Sequence, residues 1–345
     1  MRSVIVVHPN FDKTWPFAAD HLHHLWMPTG DVELIRVLSS EERAIDALIK
    51  TPETVDRLVS FMAPLTLEAL ERFRSLQEAV LYTSAYGDQP PEAYLEALSR
   101  RGVRIYKHQG LGFWGQSVAE FALALTICAL RRIPQLHHEM ISSLKPWNYD
   151  PPAGVGAPGA RGEQFSDDPR FTHGTVEGKR VRIVGAGNIA SRYASFVSFM
   201  GADVAAWDPY ASDPCFHRSG ARREQHLSRL LVDAEVFAPM LPLTASTRGL
   251  ITAEHINALP KGSLVVLVTR ANICDVGVLK ERVLNDELSL AADVFDLEPL
   301  SLEHPFLGRH NVVHTPHVAG RTKHANLQLA EALSDLFLSV NIYRE

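Results

Sequence analysis

Residues 181–200 read VRIVGAGNIASRYASFVSFM. The apolar run VRIV stops at Gly185-Ala186-Gly187, and from Asn188 onward apolar side chains recur at helical spacing. Glycine at a strand-to-helix handover serves either a tight connection or the close approach of a phosphate to backbone N–H groups at the helix start, where the dipole is positive. The neighbouring residues separate these two roles. The third position of the G-x-G-x-x-G pattern is Ala190, which suffices because that position needs only close packing of helix on sheet. A second apolar run, DVAAW, ends at Asp208, about 20 residues past the glycines, where an acid accepts hydrogen bonds from the adenine ribose. The pattern predicts a dinucleotide site. The acid, with no arginine directly after it, predicts NAD over NADP.

Outward from this stretch, strand and helix alternate. SVIVVHP (3–9), VELIRVL (32–38) and EAVLYTSA (78–85) read as strands, and TPETVDRLVSFM and TLEALERF between them read as helical. That is a small α/β unit with a parallel sheet. Beyond residue 175 the alternation resumes with VRIV, DVAAW, EVFAPM, SLVVLV, SLAADVF and NVVHTP, near-continuous apolar strands of a sheet covered on both faces. Helices are expected at 188–200 and 275–285, and a last one from KHANLQLAEALSDLF to the C-terminus. SVAEFALALTICALRRI (117–133) reads as the longest helix, with Ser117 and Glu120 as an S-x-x-E capping box. It is apolar nearly all round, so it should be buried on more than one side. Residues 146–175 are dominated by proline and glycine and read as a long loop.

The 345 residues suggest about two domains. The net charge of -6 lacks the basic surplus of a nucleic-acid binder. The 3 cysteines are far apart and odd in number, which speaks against a disulfide framework. The N-terminus lacks the long apolar core of a signal peptide, and no run reaches the roughly 18 apolar residues of a membrane span. The expected location is cytoplasmic.

In open α/β sheets, ligands bind outside the carboxyl ends of the strands. Pro242 and Thr244 lie just past EVFAPM. Arg270 follows SLVVLV, Glu298 follows AADVF, and His317 follows NVVHTP. Alone, each of these three has an ordinary reading as a surface ion pair, a solvated acid or a packed histidine. At three successive strand ends they form a candidate catalytic set. His21, His23 and His24 have no carboxylate or cysteine to complete a ligand set, so no metal is expected. Trp15 and Phe17 have two readings, as lining of a substrate entrance or as ordinary core packing, and packing is the one favoured.

These motifs together resemble the D-isomer-specific 2-hydroxyacid dehydrogenases: SVAEFALAL (117–125), GKRVRIVGAGNIA (178–190), WDPY, LPLT followed by TRGLI (241–251), the Arg270 segment, DVF and EP around Glu298, and TPHVAG (315–320). The resemblance covers most of residues 103–330, in family order. It implies a Rossmann-type NAD domain, 116–318, inserted into a flavodoxin-like substrate domain made of 1–115 and 319–345. It implies a homodimer and a small 2-hydroxy or 2-keto acid as substrate, with a site between the domains. Arg270 would bind the substrate carboxylate, His317 would exchange a proton with the reacting oxygen, and Glu298 would stabilise the charged ring. Gly185, Gly187, Asn188, Ile189, Asp208, Pro242, Thr244, Thr269 and Asp293 would face the cofactor.

Three departures stand out. The family's glycine-rich substrate loop falls on Tyr86, Gly87 and Asp88, placing an acid where an anion is welcomed. Ala271 follows the arginine where glycine is usual. Asn188 replaces a frequent basic residue beside the pyrophosphate. Candidate substrates are phosphoglycerate, glycerate or hydroxypyruvate, and D-lactate-like acids; a phosphate would call on Arg72, Arg74, Arg100 or Arg101. The alternative is an NAD(H)-sensing protein-interaction module of the same fold, similar to transcriptional corepressors. A formate-dehydrogenase-like activity is disfavoured because Glu298 stands where that branch carries glutamine.

Overall fold

The computed structural model describes residues 1–107, 112–147 and 167–337. The chain divides into two compact units: Met1–Phe113 together with the segment returning from Arg321, and Trp114–Gly320. Most of the 146–175 loop and the end of the expected last helix lie outside the described residues.

In the first unit, β1 (Arg2–Val7), β2 (Asp31–Arg36), β3 (Arg57–Phe61), β4 (Glu78–Tyr82) and β5 (Arg104–Tyr106) form a parallel sheet in the order β2-β1-β3-β4-β5. This is the flavodoxin-like 2-1-3-4-5 order. β3 corrects the sequence reading. Val55, Leu58, Val59 and Met62 carry helical spacing, yet residues 57–61 are a fully buried strand between β1 and β4. A short apolar run covered on both faces has no period of its own, so spacing could not separate the two. The returning helix Lys323–Leu336 completes this unit. Asn326 Oδ1 accepts the N–H of Phe17 at 3.1 Å, and the indole N–H of Trp26 donates to Ser334 Oγ at 3.1 Å. Phe337 packs edge-on against Trp26 and Tyr106.

In the second unit, β6 (Arg180–Val184), β7 (Asp203–Trp207), β8 (Arg222–Arg223), β9 (Val236–Pro239), β10 (Leu264–Leu267), β11 (Ser289–Ala292) and β12 (Val312–His314) form a parallel sheet. The order is β12-β11-β10-β9-β6-β7-β8. Counted from β6, it is the Rossmann 3-2-1-4-5-6 arrangement with one further strand. The order reverses between β6 and β9, so the switch-point crevice opens beside the glycine turn. One core layer, with Val118, Ala122, Tyr193 and Val197, covers one face; Leu231, Ile256, Leu279 and Val283 cover the other.

The helix over 117–133 begins earlier and ends sooner than its sequence pattern suggests, at Gly115–Leu130. Trp114 is its N-cap, and Ser117 lies inside it, donating its hydroxyl to Ala319 O. The capping box is therefore not formed; Glu120 instead accepts from the Gln116 amide at 2.6 Å. Arg132, in the left-handed region at φ 52, ends the run and opens a separate helix, Ile133–Ser142, that buries no residue.

Candidate active site

β6 delivers the chain into Gly185, whose φ of +108 is open to glycine and closed to most L-residues. A Cβ there would sit 2.8 Å from Met240 O on the neighbouring β9 connection, so this glycine is also required by close backbone packing. At Gly187 a Cβ would meet nothing within 4 Å. Gly187 caps the helix Asn188–Phe199, whose first-turn N–H groups have no intrahelical acceptor and point back toward the turn. The crevice above the turn is thus open and lined by backbone donors, which fits a diphosphate.

Asp208, at the end of β7, is half-exposed. Its carboxylate accepts the N–H groups of Ala186 at 2.8 Å, Tyr210 at 2.9 Å and Ala211 at 3.1 Å. A carboxylate has about four lone-pair directions, so room for a ribose hydroxyl remains. Pro242 and Thr244 lie in the exposed loop past β9, where Thr247 donates to Pro242 O at 2.6 Å and shares a hydroxyl contact with Thr244 at 3.1 Å. Ile189 is half-buried in the first turn of the helix. Thr269 is buried, its hydroxyl donating to Pro239 O at 3.3 Å.

The sequence reading missed Arg192. One helical turn beyond Asn188, it donates to Asn188 Oδ1 at 2.9 Å and to Gln116 Oε1 at 2.7 Å. Its i+4 spacing from Asn188 was the available signal, since such pairs share a helix face. A cation therefore stands near the turn although position 188 is not basic.

β10, β11 and β12 are sheet neighbours, so Arg270, Glu298 and His317 emerge past the carboxyl ends of three adjacent strands. Glu298 and His317 meet directly, Oε2 to Nδ1 at 2.7 Å. The other carboxylate oxygen of Glu298 accepts the Phe295 N–H at 2.9 Å, which fixes the plane of the acid. Arg270 is half-buried and donates to its neighbour's carbonyl, Thr269 O, at 2.7 Å. Ala271 causes no conflict: Arg270 is extended at φ -151 and Ala271 enters a short 3-10 turn. The thiol of Cys274, in the same segment, is pushed up to about 12 by burial, reinforced by Asp275, and stays protonated.

His317 adopts φ +55, uncommon for a non-glycine residue. Asp293 explains how this is held. Fully buried at the end of β11, its carboxylate accepts the Thr315 hydroxyl at 2.6 Å and the N–H groups of Val318 at 3.0 Å and Ala319 at 2.8 Å. These bonds bracket His317 on both sides. The sequence reading assigned Asp293 to the cofactor; the structure gives its carboxylate a positioning role within the protein. Thr315 was not singled out, because its partner lies on another strand.

In the first unit, Tyr86, Gly87 and Asp88 occupy the loop at the carboxyl end of β4. Tyr86 and Asp88 are exposed. Gly87, at φ +85, lies against the ring of Tyr82. Trp15 is buried and its indole N–H donates to Ala85 O at 2.7 Å, which fastens the loop. Phe17 is exposed, with the ammonium of Lys323 over its ring. His21 pairs with Glu331 at 3.3 Å, and His23 contacts Val32 O at 3.4 Å.

Residues 154–319 match the model of the D-isomer specific 2-hydroxyacid dehydrogenase NAD binding domain. Over these residues the chain is similar to that family's NAD-binding domain. Its cofactor is NAD, in agreement with the open glycine turn and the acid at the end of β7. Among curated proteins, the chain is 26% identical over 297 residues to a D-3-phosphoglycerate dehydrogenase of Methanocaldococcus jannaschii, covering 86% of this chain and 51% of the relative. It is 28% identical over 247 residues to a glyoxylate reductase of Aeropyrum pernix, covering 68% and 66%. The chain spans about half the length of the phosphoglycerate dehydrogenases it matches, 41% to 54% in the archaeal and Haemophilus influenzae proteins. Among solved structures, a phosphoglycerate oxidoreductase from Rhizobium etli superposes with a TM-score of 0.70 at 19% identity, covering 97% of this chain and 94% of that one. At that identity the likeness shows the fold.

Proposed function

We propose that the protein is an NAD-dependent oxidoreductase that interconverts a D-2-hydroxy acid and its 2-keto acid. The observation that carries this reading is the 2.7 Å contact of His317 with Glu298 at strand ends adjacent to that of Arg270, in a domain similar to those of an NAD-binding family. Bound nicotinamide supplies or accepts the hydride. With Nδ1 engaged by Glu298, Nε2 of His317 is the nitrogen that gives a proton to the forming alkoxide, or takes one in the reverse direction. Glu298 keeps the ring oriented and stabilises its positive form. The planar guanidinium of Arg270 suits the substrate carboxylate through paired donors and polarises the adjacent carbonyl. Gly185, Gly187, Asn188 and Ile189 would hold the diphosphate, Asp208 the ribose, and Pro242, Thr244 and Thr269 the remaining cofactor. Tyr86, Gly87 and Asp88 would face the substrate.

The reading includes a homodimer. It is supported by the apolar side chains exposed on and just after the helix Ile133–Ser142: Ile133, Met140, Ile141, Leu144 and Trp147. An apolar surface of this kind marks an interaction site. The reading also places the protein in the cytoplasm, in keeping with cysteines that are all free. The test is NADH oxidation with a panel of 2-keto acids. Turnover with at least one is expected. No turnover with any acid, together with NADH-dependent association with another protein, would favour the sensing module instead.

A further inference from the structure

The glycine turn after β6 offers backbone donors to a diphosphate, but backbone dipoles carry no full charge. A cation beside the turn would strengthen the hold on that anion through charge-assisted bonds. Arg192 stands where such a charge is needed. It is an exposed residue of the helix Asn188–Phe199, one turn past its start. A helical side chain leans toward the N-terminus and covers the turn before its own Cα. The guanidinium accordingly reaches back to the first residue of the helix, Nε donating to Asn188 Oδ1 at 2.9 Å. Nη1 donates to Gln116 Oε1 at 2.7 Å. The Gln116 amide is itself oriented: its Nε2 donates to Glu120 Oε1 at 2.6 Å, which leaves its oxygen to face Arg192. Gln116 comes within reach because two helix starts meet here, so closely that a Cβ on Gly115 would lie 2.5 Å from Asn188 Nδ2. All of these residues belong to the second unit.

These contacts aim the guanidinium without neutralising it. Both acceptors are uncharged amides, and among the described residues no carboxylate stands within 4.0 Å of Arg192. Other arginines of the unit are paired: Arg180 with Glu235 at 3.3 Å, Arg182 with Asp233 at 2.6 Å, Arg223 with Asp213 at 2.6 Å and Arg282 with Glu287 at 3.0 Å. The bonds of Arg192 use Nε and Nη1, so the donors of Nη2 remain for an incoming anion.

We propose that Arg192 is a cofactor-binding residue, the cation that holds the diphosphate of NAD(H). The guanidinium keeps its contact with Gln116 and gives its Nη2 N–H groups to phosphate oxygens, beside the N–H groups of the helix start. Position 188 then needs no charge of its own. Its amide is the rest for an arginine one turn along the same helix face.

The experiment follows NADH binding by fluorescence titration, and displacement of NADH by ADP and by adenosine, in wild type, Arg192→Gln and Arg192→Lys. ADP keeps the diphosphate and adenosine lacks it. Arg192→Gln should weaken NADH and ADP by about tenfold, the size of a hydrogen bond to a charged group, and adenosine by no more than about twofold. Arg192→Lys, which keeps the charge without the planar fork, should fall between wild type and Arg192→Gln. Unchanged NADH and ADP affinity in Arg192→Gln, an equal loss for ADP and adenosine, or a lysine variant no better than the glutamine variant overturns the proposal and leaves the NAD assignment standing. Failure of wild type to bind NADH overturns both.

Discussion

Asp208 accepts the backbone N–H of Ala186 at 2.8 Å, tying the end of β7 to the middle of the glycine turn that follows β6. The acid proposed to read the ribose is therefore also a structural brace of the glycine turn. Asp208→Arg should raise the NADPH/NADH ratio of kcat/KM and also lower the melting temperature, because Ala186 loses its acceptor. Asp208→Asn, which keeps an oxygen, should retain more of the stability. Steady-state kinetics with both coenzymes and thermal unfolding check this. An unchanged coenzyme ratio would mean that the ribose acid is misassigned.

The Glu298–His317 contact predicts different effects for its two members. His317→Gln should reduce kcat by roughly a thousandfold or more, since general acid–base contributions reach about 10²–10⁴. NADH affinity, read by fluorescence titration, should change little. Glu298→Gln should cost less, because the amide still orients the ring. Equal loss of NADH binding and turnover in His317→Gln would make the histidine structural.

Asp293 brackets His317 from within the core. Asp293→Ala would strand the Val318 and Ala319 N–H groups and the Thr315 hydroxyl. Leaving a buried donor unsatisfied costs about 1–3 kcal/mol. The expected result is a clear drop in the urea midpoint together with a fall in kcat as the φ +55 turn at His317 relaxes. Full activity in this variant would remove Asp293 from the positioning role.

β6 carries a buried charge, Arg182, only 2% exposed. It grips Asp233 through two bonds at 2.8 and 2.6 Å and reaches Asp203 at 2.9 Å. The hydrogen bond from Arg182 holds the Asp233 carboxyl below its ordinary range. The unfolded chain then binds the proton more readily than the folded one, so the contribution is complete above the unfolded value of about 3.9 and is lost as pH falls through the depressed folded value. Urea unfolding of wild type and Asp233→Asn between pH 6 and pH 3 tests this. The gap between them should be widest near neutrality and shrink toward acid. A gap that widens in acid would contradict the sign.

Much of the architecture was legible because its signals are local. The run VRIV followed by Gly185 and Gly187 states a strand, a turn and a helix within a dozen residues. The strands of the second unit are apolar enough to read without neighbours, except β8, whose two arginines carry no strand signal. β3 was not legible, since Val55, Leu58, Val59 and Met62 satisfy helical spacing by coincidence, and only burial between β1 and β4 makes this a strand. The capping box at Ser117 failed for a related reason. The helix starts two residues earlier, at Gly115, and the Ser117 hydroxyl finds the distant carbonyl of Ala319.

The sequence alone determined which residue types stand at the strand ends: Arg270, Glu298 and His317, the glycine turn, and Asp208. Those assignments follow from chain order, because a parallel α/β topology delivers every such position to the same edge of its sheet. Only the tertiary structure decided what each side chain touches. It joined Glu298 to His317 across a sequence separation of 19, turned Asp293 inward to hold the histidine loop, and sent Arg72, Arg74, Arg100 and Arg101 to the end of the sheet away from Asp88. The physical reason is that hydrogen bonds and charge act over a few ångströms of space, and distance in space between residues far apart in the chain is fixed by packing.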